Sequence, residues 1–138
     1  MATIYTDTPG VDWTLHFTNK GTRDTPLLEQ VKAVDVTIRP GVSDQPPVLH
    51  RLRPDAENWL PMDQPLPGGQ RIEFAPVSGR SSLGACPFFN LAWKGGGVIT
   101  AIGWTGQWVA WVEHTNGGLR VAAGMQNLRL KLHPGETI

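Results

Sequence analysis

Apolar and polar residues alternate with a period of two along much of the chain, and that period predicts strands. In DWTLHFTN (residues 12–19), Trp13, Leu15 and Phe17 share one side, and Asp12, Thr14, His16 and Thr18 share the other. In QVKAVDVTIR (30–39), Val34, Val36 and Ile38 alternate with Asp35, Thr37 and Arg39, and Pro40-Gly41 closes the run. Near the end, Leu128, Leu130 and Leu132 alternate with Arg129, Lys131 and His133 before Pro134-Gly135. Each reads as a half-buried strand, one face inward and one face wet. Two further pairs are more apolar. PFFNLAW (87–93) and GVITAIG (97–103) are joined by Lys94-Gly95-Gly96, and WVAWVEH (108–114) and GLRVAAG (118–124) by Thr115-Asn116-Gly117. Asn-Gly between alternating apolar runs is a strong hairpin signal. The C-terminal half therefore reads as a meander of about five strands, with no helix and no internal repeat. Residues 52–69, LRPDAENWLPMDQPLPGG, read as one long irregular connection, a type of segment that is often functional. The pattern predicts an all-β fold, an antiparallel β-sandwich, with a closed barrel as the alternative.

The same parity bears on the tryptophans, three of whose six lie between Trp104 and Trp111. Trp108 and Trp111 differ by three positions, so on a strand they face opposite ways and cannot form one platform. One of them at least belongs to the core. Trp104 and Trp108 can meet only across the Thr105-Gly106 corner. Packing and sugar stacking both remain open for this cluster.

A chain of 138 residues suits a single domain, residues 1–138, with a substantial core. Twelve Lys and Arg balance twelve Asp and Glu, so no electrostatic footprint points to nucleic acid or an anionic membrane. Sixteen Gly and twelve Pro imply many turns. The N-terminus MATIYTDTPG lacks the basic and apolar regions of a signal peptide, and no apolar run is long enough to span a bilayer; both fit a cytoplasmic protein. Cys86 is alone and reads as a small buried hydrophobe. The four histidines, His16, His50, His114 and His133, show no metal-ligand spacing, so no metal and no cofactor is expected. Ser81 and Ser82 lack a nucleophile elbow, and Gly95-Gly96-Gly97 sits in no phosphate-binding pattern.

The ordered set GRSS (79–82), PFFNLAW (87–93), GGGVITAIGWTGQW (95–108), LRVAAGMQ (119–126) and LKLHPGE (130–136) resembles the N-terminal β-sandwich, supersandwich-like, of family 36-type α-galactosidases. VDWTLHFTNKGTRDTPLLEQVKAVDV (11–36) is similar to an earlier part of that domain. The resemblance implies a partial or excised N-terminal domain of a longer glycoside hydrolase. In that family the sandwich precedes a (β/α)₈ barrel that carries the catalytic aspartates, and nothing like the barrel follows Thr137-Ile138. No residue here inherits a catalytic role, and the chain is not expected to be an enzyme on its own. Asp55, Glu57 and Asp63 could in principle supply a carboxylate pair, but such near pairs are common by chance.

What remains is an accessory function: packing against a catalytic barrel, supporting oligomerisation, and lending HRLRPDAENW (50–59) to a galactoside pocket. In the resembled family a loop of this domain approaches the catalytic mouth. The expected sugar-contacting residues are Arg53, Asp55, Asn58 and Trp59, with Trp104 and Trp108 at the corner. An aromatic face under a sugar ring and planar polar groups on its hydroxyls are the usual means of recognition. The competing reading of the loop is an exposed, proline-rich connection held by Trp59 packing on the sandwich. Two other functions are carried forward. A free-standing carbohydrate-binding module predicts a solvent-facing tryptophan beside polar groups. A purely structural assembly module predicts buried tryptophans and an exposed apolar face or edge, through which a sandwich short of its first strands would self-associate.

Overall fold

In the computed structural model, which describes residues 1–55 and 57–138, the chain forms twelve antiparallel strands: β1 (Ala2–Ile4), β2 (Val11–Trp13), β3 (Leu28–Glu29), β4 (Lys32–Ile38), β5 (Val48–Pro54), β6 (Trp59–Pro65), β7 (Arg71–Phe74), β8 (Phe88–Trp93), β9 (Gly96–Ala101), β10 (Trp108–Thr115), β11 (Gly118–Met125) and β12 (Arg129–Leu130). Two four-stranded sheets, ordered β4-β11-β10-β7 and β6-β5-β8-β9, form the sandwich, and two two-stranded ribbons, β1-β2 and β12-β3, flank it. The core between the sheets is built from alternate residues: Leu49, Phe89 and Leu91 from one, and Phe74, Trp108, Ala110, Val112, Leu119, Val121 and Ala123 from the other. Phe74 links the layers, edge-on to Phe89 at 5.0 Å and to Trp108 at 5.9 Å. Cys86 is buried.

Both hairpins foreseen from their turns are present, with the pairings Phe88↔Ala101 to Trp93↔Gly96 and Trp108↔Met125 to Thr115↔Gly118. They do not form a meander. The β8–β9 hairpin lies in one sheet and the β10–β11 hairpin in the other, and the chain crosses between sheets at residues 102–107. The supposed irregular region 52–69 contains most of a third hairpin, β5–β6, in register from Val48↔Pro65 to Pro54↔Trp59. Its prolines mask it. Pro61 and Pro65 sit on β6, an edge strand, where a residue without an N–H is tolerated.

The N-terminal expectation needs correction too. Of the 12–19 run only Asp12 and Trp13 are strand, as part of β2, and Trp13 and Leu15 are exposed. The reason is local. Between Gly124↔Lys32 and Ala123↔Val34 the ladder skips Ala33, a bulge, and the Trp13 indole N–H donates to the Ala33 carbonyl at 2.6 Å. Trp13 thus satisfies a carbonyl that the bulge leaves out of the ladder. Downstream, Phe17 exchanges backbone hydrogen bonds with Ile138.

The C-terminal run is strand only at Arg129–Leu130, although Leu132 is buried. Asn19, which follows the 12–18 alternation, is a buried hub. Its amide donates to the Arg23 and Leu132 carbonyls at 2.8 Å, and its oxygen accepts from Gly21 N–H. Beside it, His133 Nδ1 lies 2.8 Å from Asp24 Oδ1. The hydrogen bond to Asp24 and its charge, with Glu136 adding, raise the imidazole pKa above its ordinary value. Since the folded value is the higher one, the pair's contribution is complete below the unfolded pKa and disappears as pH rises through the folded one. Asp24→Asn should bring the His133 midpoint down, followed by imidazole proton resonances. An unchanged midpoint would remove Asp24 as the cause.

Candidate functional site

The register places the turn of the β5–β6 hairpin and the 102–107 corner at the same end of the sandwich. β9 ends at Ala101, which faces Phe88, and Phe89 in turn pairs with Arg51 of β5. A third segment, 76–86, closes this end: Gly84 and Cys86 N–H groups donate to the Pro54 and Leu52 carbonyls at 2.8 and 3.0 Å. Five of the six residues expected to meet sugar, Arg53, Asp55, Asn58, Trp59 and Trp104, lie here and are exposed.

They do not form one surface. Arg53 pairs with Leu60, and the neighbouring Pro54 pairs with Trp59, so Arg53 and Trp59 project from opposite faces of the hairpin. Asp55 closes the turn. Its Oδ1 accepts from the Glu57 and Asn58 N–H groups at 2.9 and 2.7 Å, and its own N–H donates to the Asn58 carbonyl. These two backbone donors, with smaller help from Arg53 and the Asn58 side chain, hold the carboxyl below its ordinary range. Asp55 is thus a charged turn clamp next to Arg53 and Asn58, with Oδ2 remaining as an acceptor. Ala56 lies outside the described residues. Arg51 belongs inside rather than to the loop. It is partly buried, with its guanidinium 5.2 Å from the Phe74 ring centre and its Nε donating to Gln64 at 2.7 Å.

Trp59 is 60% exposed, so the alternative in which it packs on the sandwich does not hold. It shares the outer face with Leu52, Pro61 and Phe88, the last also exposed. Trp104 is partly exposed and its indole lies over Gly106, where a Cβ would come within 2.8 Å of Nε1. Trp108 is a correction. Its exposure is 0% and its N–H donates to the Ser81 carbonyl at 2.9 Å, so it offers no surface to a ligand. Trp111 points the other way, as parity requires, with the Arg71 guanidinium and Lys32 ammonium 4.4 and 5.2 Å from its ring centre.

Gln107 organises this end and was not singled out from sequence. It accepts from Gly79 N–H at 3.0 Å and donates to the Pro76 carbonyl and to Gln126 Oε1. Together with Trp108 it ties the 76–82 loop to the corner. The signal was present as the adjacent pair Gln107-Trp108 after a glycine turn, but its partners are distant in sequence. Among the described residues, no group of three or more His, Cys, Asp or Glu side chains is placed to hold a metal ion, and no helix is long and apolar enough to cross a membrane.

No protein-family model and no curated protein matches the sequence. Solved structures do. The family 36 α-galactosidase AgaA from Geobacillus stearothermophilus shares 22% identity at a TM-score of 0.72, over 89% of this chain and 18% of that one. AgaB from the same organism matches at 22% identity and a TM-score of 0.71, over 89% and 18%. An α-galactosidase from Lactobacillus brevis matches at 17% identity and a TM-score of 0.72, over 89% and 17%. The likeness is one of fold. The chain spans less than a fifth of the length of these enzymes and corresponds to a small β-sheet domain of them. It is not itself a (β/α)₈ barrel, since its strands pair antiparallel and no helix occurs among the described residues.

Proposed function

We propose that this chain is a non-catalytic accessory domain of an α-galactosidase-like glycoside hydrolase. It packs on a catalytic barrel, and the end of the sandwich bearing Arg53, Asp55, Asn58, Trp59 and Trp104 contributes to a galactoside pocket. The observation that carries the reading is the match of 89% of this chain to a minor part of several α-galactosidases. Local geometry supports the loan of the hairpin. A clamped turn presents Arg53, Asn58 and the second Asp55 oxygen on a rigid β-ribbon, and a rigid support is what precise positioning requires. The partition of Arg53 and Trp59 onto opposite faces also fits a shared pocket. One face of the ribbon is available to the sugar and the other to the protein around it.

The exposed Trp59 favours a second reading, a free-standing carbohydrate-binding module, in which the chain retains sugar affinity alone. The non-catalytic part of the proposal is tested by assaying the chain with a chromogenic α-galactoside. No turnover above buffer is the expected outcome. Turnover that co-purifies with the chain and is lost in Asp55→Asn, Glu57→Gln or Asp63→Asn would place a hydrolase activity in this chain and overturn the proposal.

A further inference from the structure

The opposite end of the sandwich holds a cleft that the galactoside reading does not use. β5 runs from Val48 to Pro54, so the 39–47 connection that precedes it lies a full strand length, roughly 20 Å, from the hairpin turn. The Thr115–Gly118 tip of the β10–β11 hairpin reaches the same place, and a cleft of about 470 Å³ lies between the two. That volume falls in the range of small-ligand sites.

Its walls have a definite chemistry. Trp93 packs against the core on one side and lines the cleft on the other. Arg39 donates through Nε to the Gly117 carbonyl at 3.3 Å, which orients the guanidinium and leaves both terminal nitrogens without a partner among the described residues. His114 Nδ1–H donates to the Leu66 carbonyl at 3.0 Å, which fixes the ring and leaves Nε2 without a partner among the described residues. Ser43, Gln45 and Asn116 add a hydroxyl and two amides. No carboxylate lines the cleft, and Arg39 is its one permanent charge among the described residues. An aromatic wall beneath a ring, amides and a hydroxyl at its rim, and a single oriented guanidinium together suit a ring that is apolar on its face, hydroxylated at its edge and acidic at one position.

We propose that this cleft binds an anionic saccharide unit, with its acid group on Arg39, its ring against Trp93 and its hydroxyls on Asn116, Gln45 and His114. Carboxylate and phosphate share the chemistry that Arg39 recognises. The test is an NMR titration of the full chain, reading the Trp93 indole N–H and the Arg39 and Asn116 amides, with galacturonate and galactose 6-phosphate as separate probes. Saturable shifts at these positions with either probe are expected, and the stronger one identifies the acid. Galactose should bind at least about tenfold more weakly, and Arg39→Gln should weaken the acidic probe by about tenfold or more at an unchanged melting temperature. No shift with either acid, equal shifts with galactose, equal shifts with inorganic phosphate or acetate alone, or wild-type affinity in Arg39→Gln would each overturn the assignment. None of these outcomes bears on the hairpin end, so the two sites stand or fall separately.

Discussion

Trp108→Ala lowers the unfolding free energy by about 3–5 kcal/mol, whereas Trp104→Ala leaves it within about 1 kcal/mol. The two indoles are four residues apart and of one type, so the contrast isolates position. Trp108 has no exposed surface, packs edge-to-face on Phe74 and donates to the Ser81 carbonyl. Its removal leaves a large cavity between the sheets and frees the 79–82 loop that it anchors. Trp104 is 45% exposed and covers only the corner. Urea unfolding followed by far-ultraviolet circular dichroism measures both. Equal losses would mean that the corner, not the interior, is where these tryptophans act.

The second large effect comes from a glycine. Gly124→Ala lowers stability by about 1–3 kcal/mol or more, because there is no room for a methyl group. A Cβ there would stand 2.2 Å from the Val31 carbonyl oxygen and 2.9 Å from the Lys32 Cα. Both neighbours are backbone, so relief requires moving the start of β4. This is also where the ladder bulges past Ala33 and where Trp13 completes the hydrogen bonding, so the strain should propagate to the β1–β2 ribbon. Gly117→Ala is the matched control. It sits in a turn where a Cβ meets only Thr115 Oγ1 at 3.6 Å, an ordinary contact. Thermal unfolding of both variants decides the point, and similar midpoints would contradict the bulge geometry.

Legibility in the sequence followed the range of the interactions. The β8–β9 and β10–β11 hairpins were readable because their turns and alternation lie within 14 residues (Phe88–Ala101) and 18 residues (Trp108–Met125) of chain, a span over which turn chemistry sets register. The opposition of Trp108 and Trp111 followed from parity alone. Which sheet each hairpin joins was not readable, since an apolar hairpin presents the same pattern on either side of a core. The meander expected from 87 to 133 was broken at the 102–107 corner for that reason. The β5–β6 hairpin was hidden by prolines that only an edge strand admits. Gln107, Asn19 and Trp13 all work through backbone groups distant in sequence, and no local pattern announces such partners.

The same limit shaped the candidate site. Grouping Arg53, Asp55, Asn58 and Trp59 by sequence proximity picked out one end of the molecule, and the structure brings Trp104 to that same end. It could not show that Asp55 spends one oxygen on its own turn or that Trp59 turns away from Arg53. Those two facts shift the picture from a ready-made sugar platform to one side of a pocket that a second domain would complete.

The most direct test of that picture is a titration of the chain with raffinose and galactose, following tryptophan fluorescence, with Trp59→Ala in parallel. An accessory domain whose pocket is completed by a barrel predicts no saturable change up to tens of millimolar sugar. A saturable change in the wild-type chain that is absent from Trp59→Ala would contradict the account and establish a self-sufficient sugar site on the hairpin.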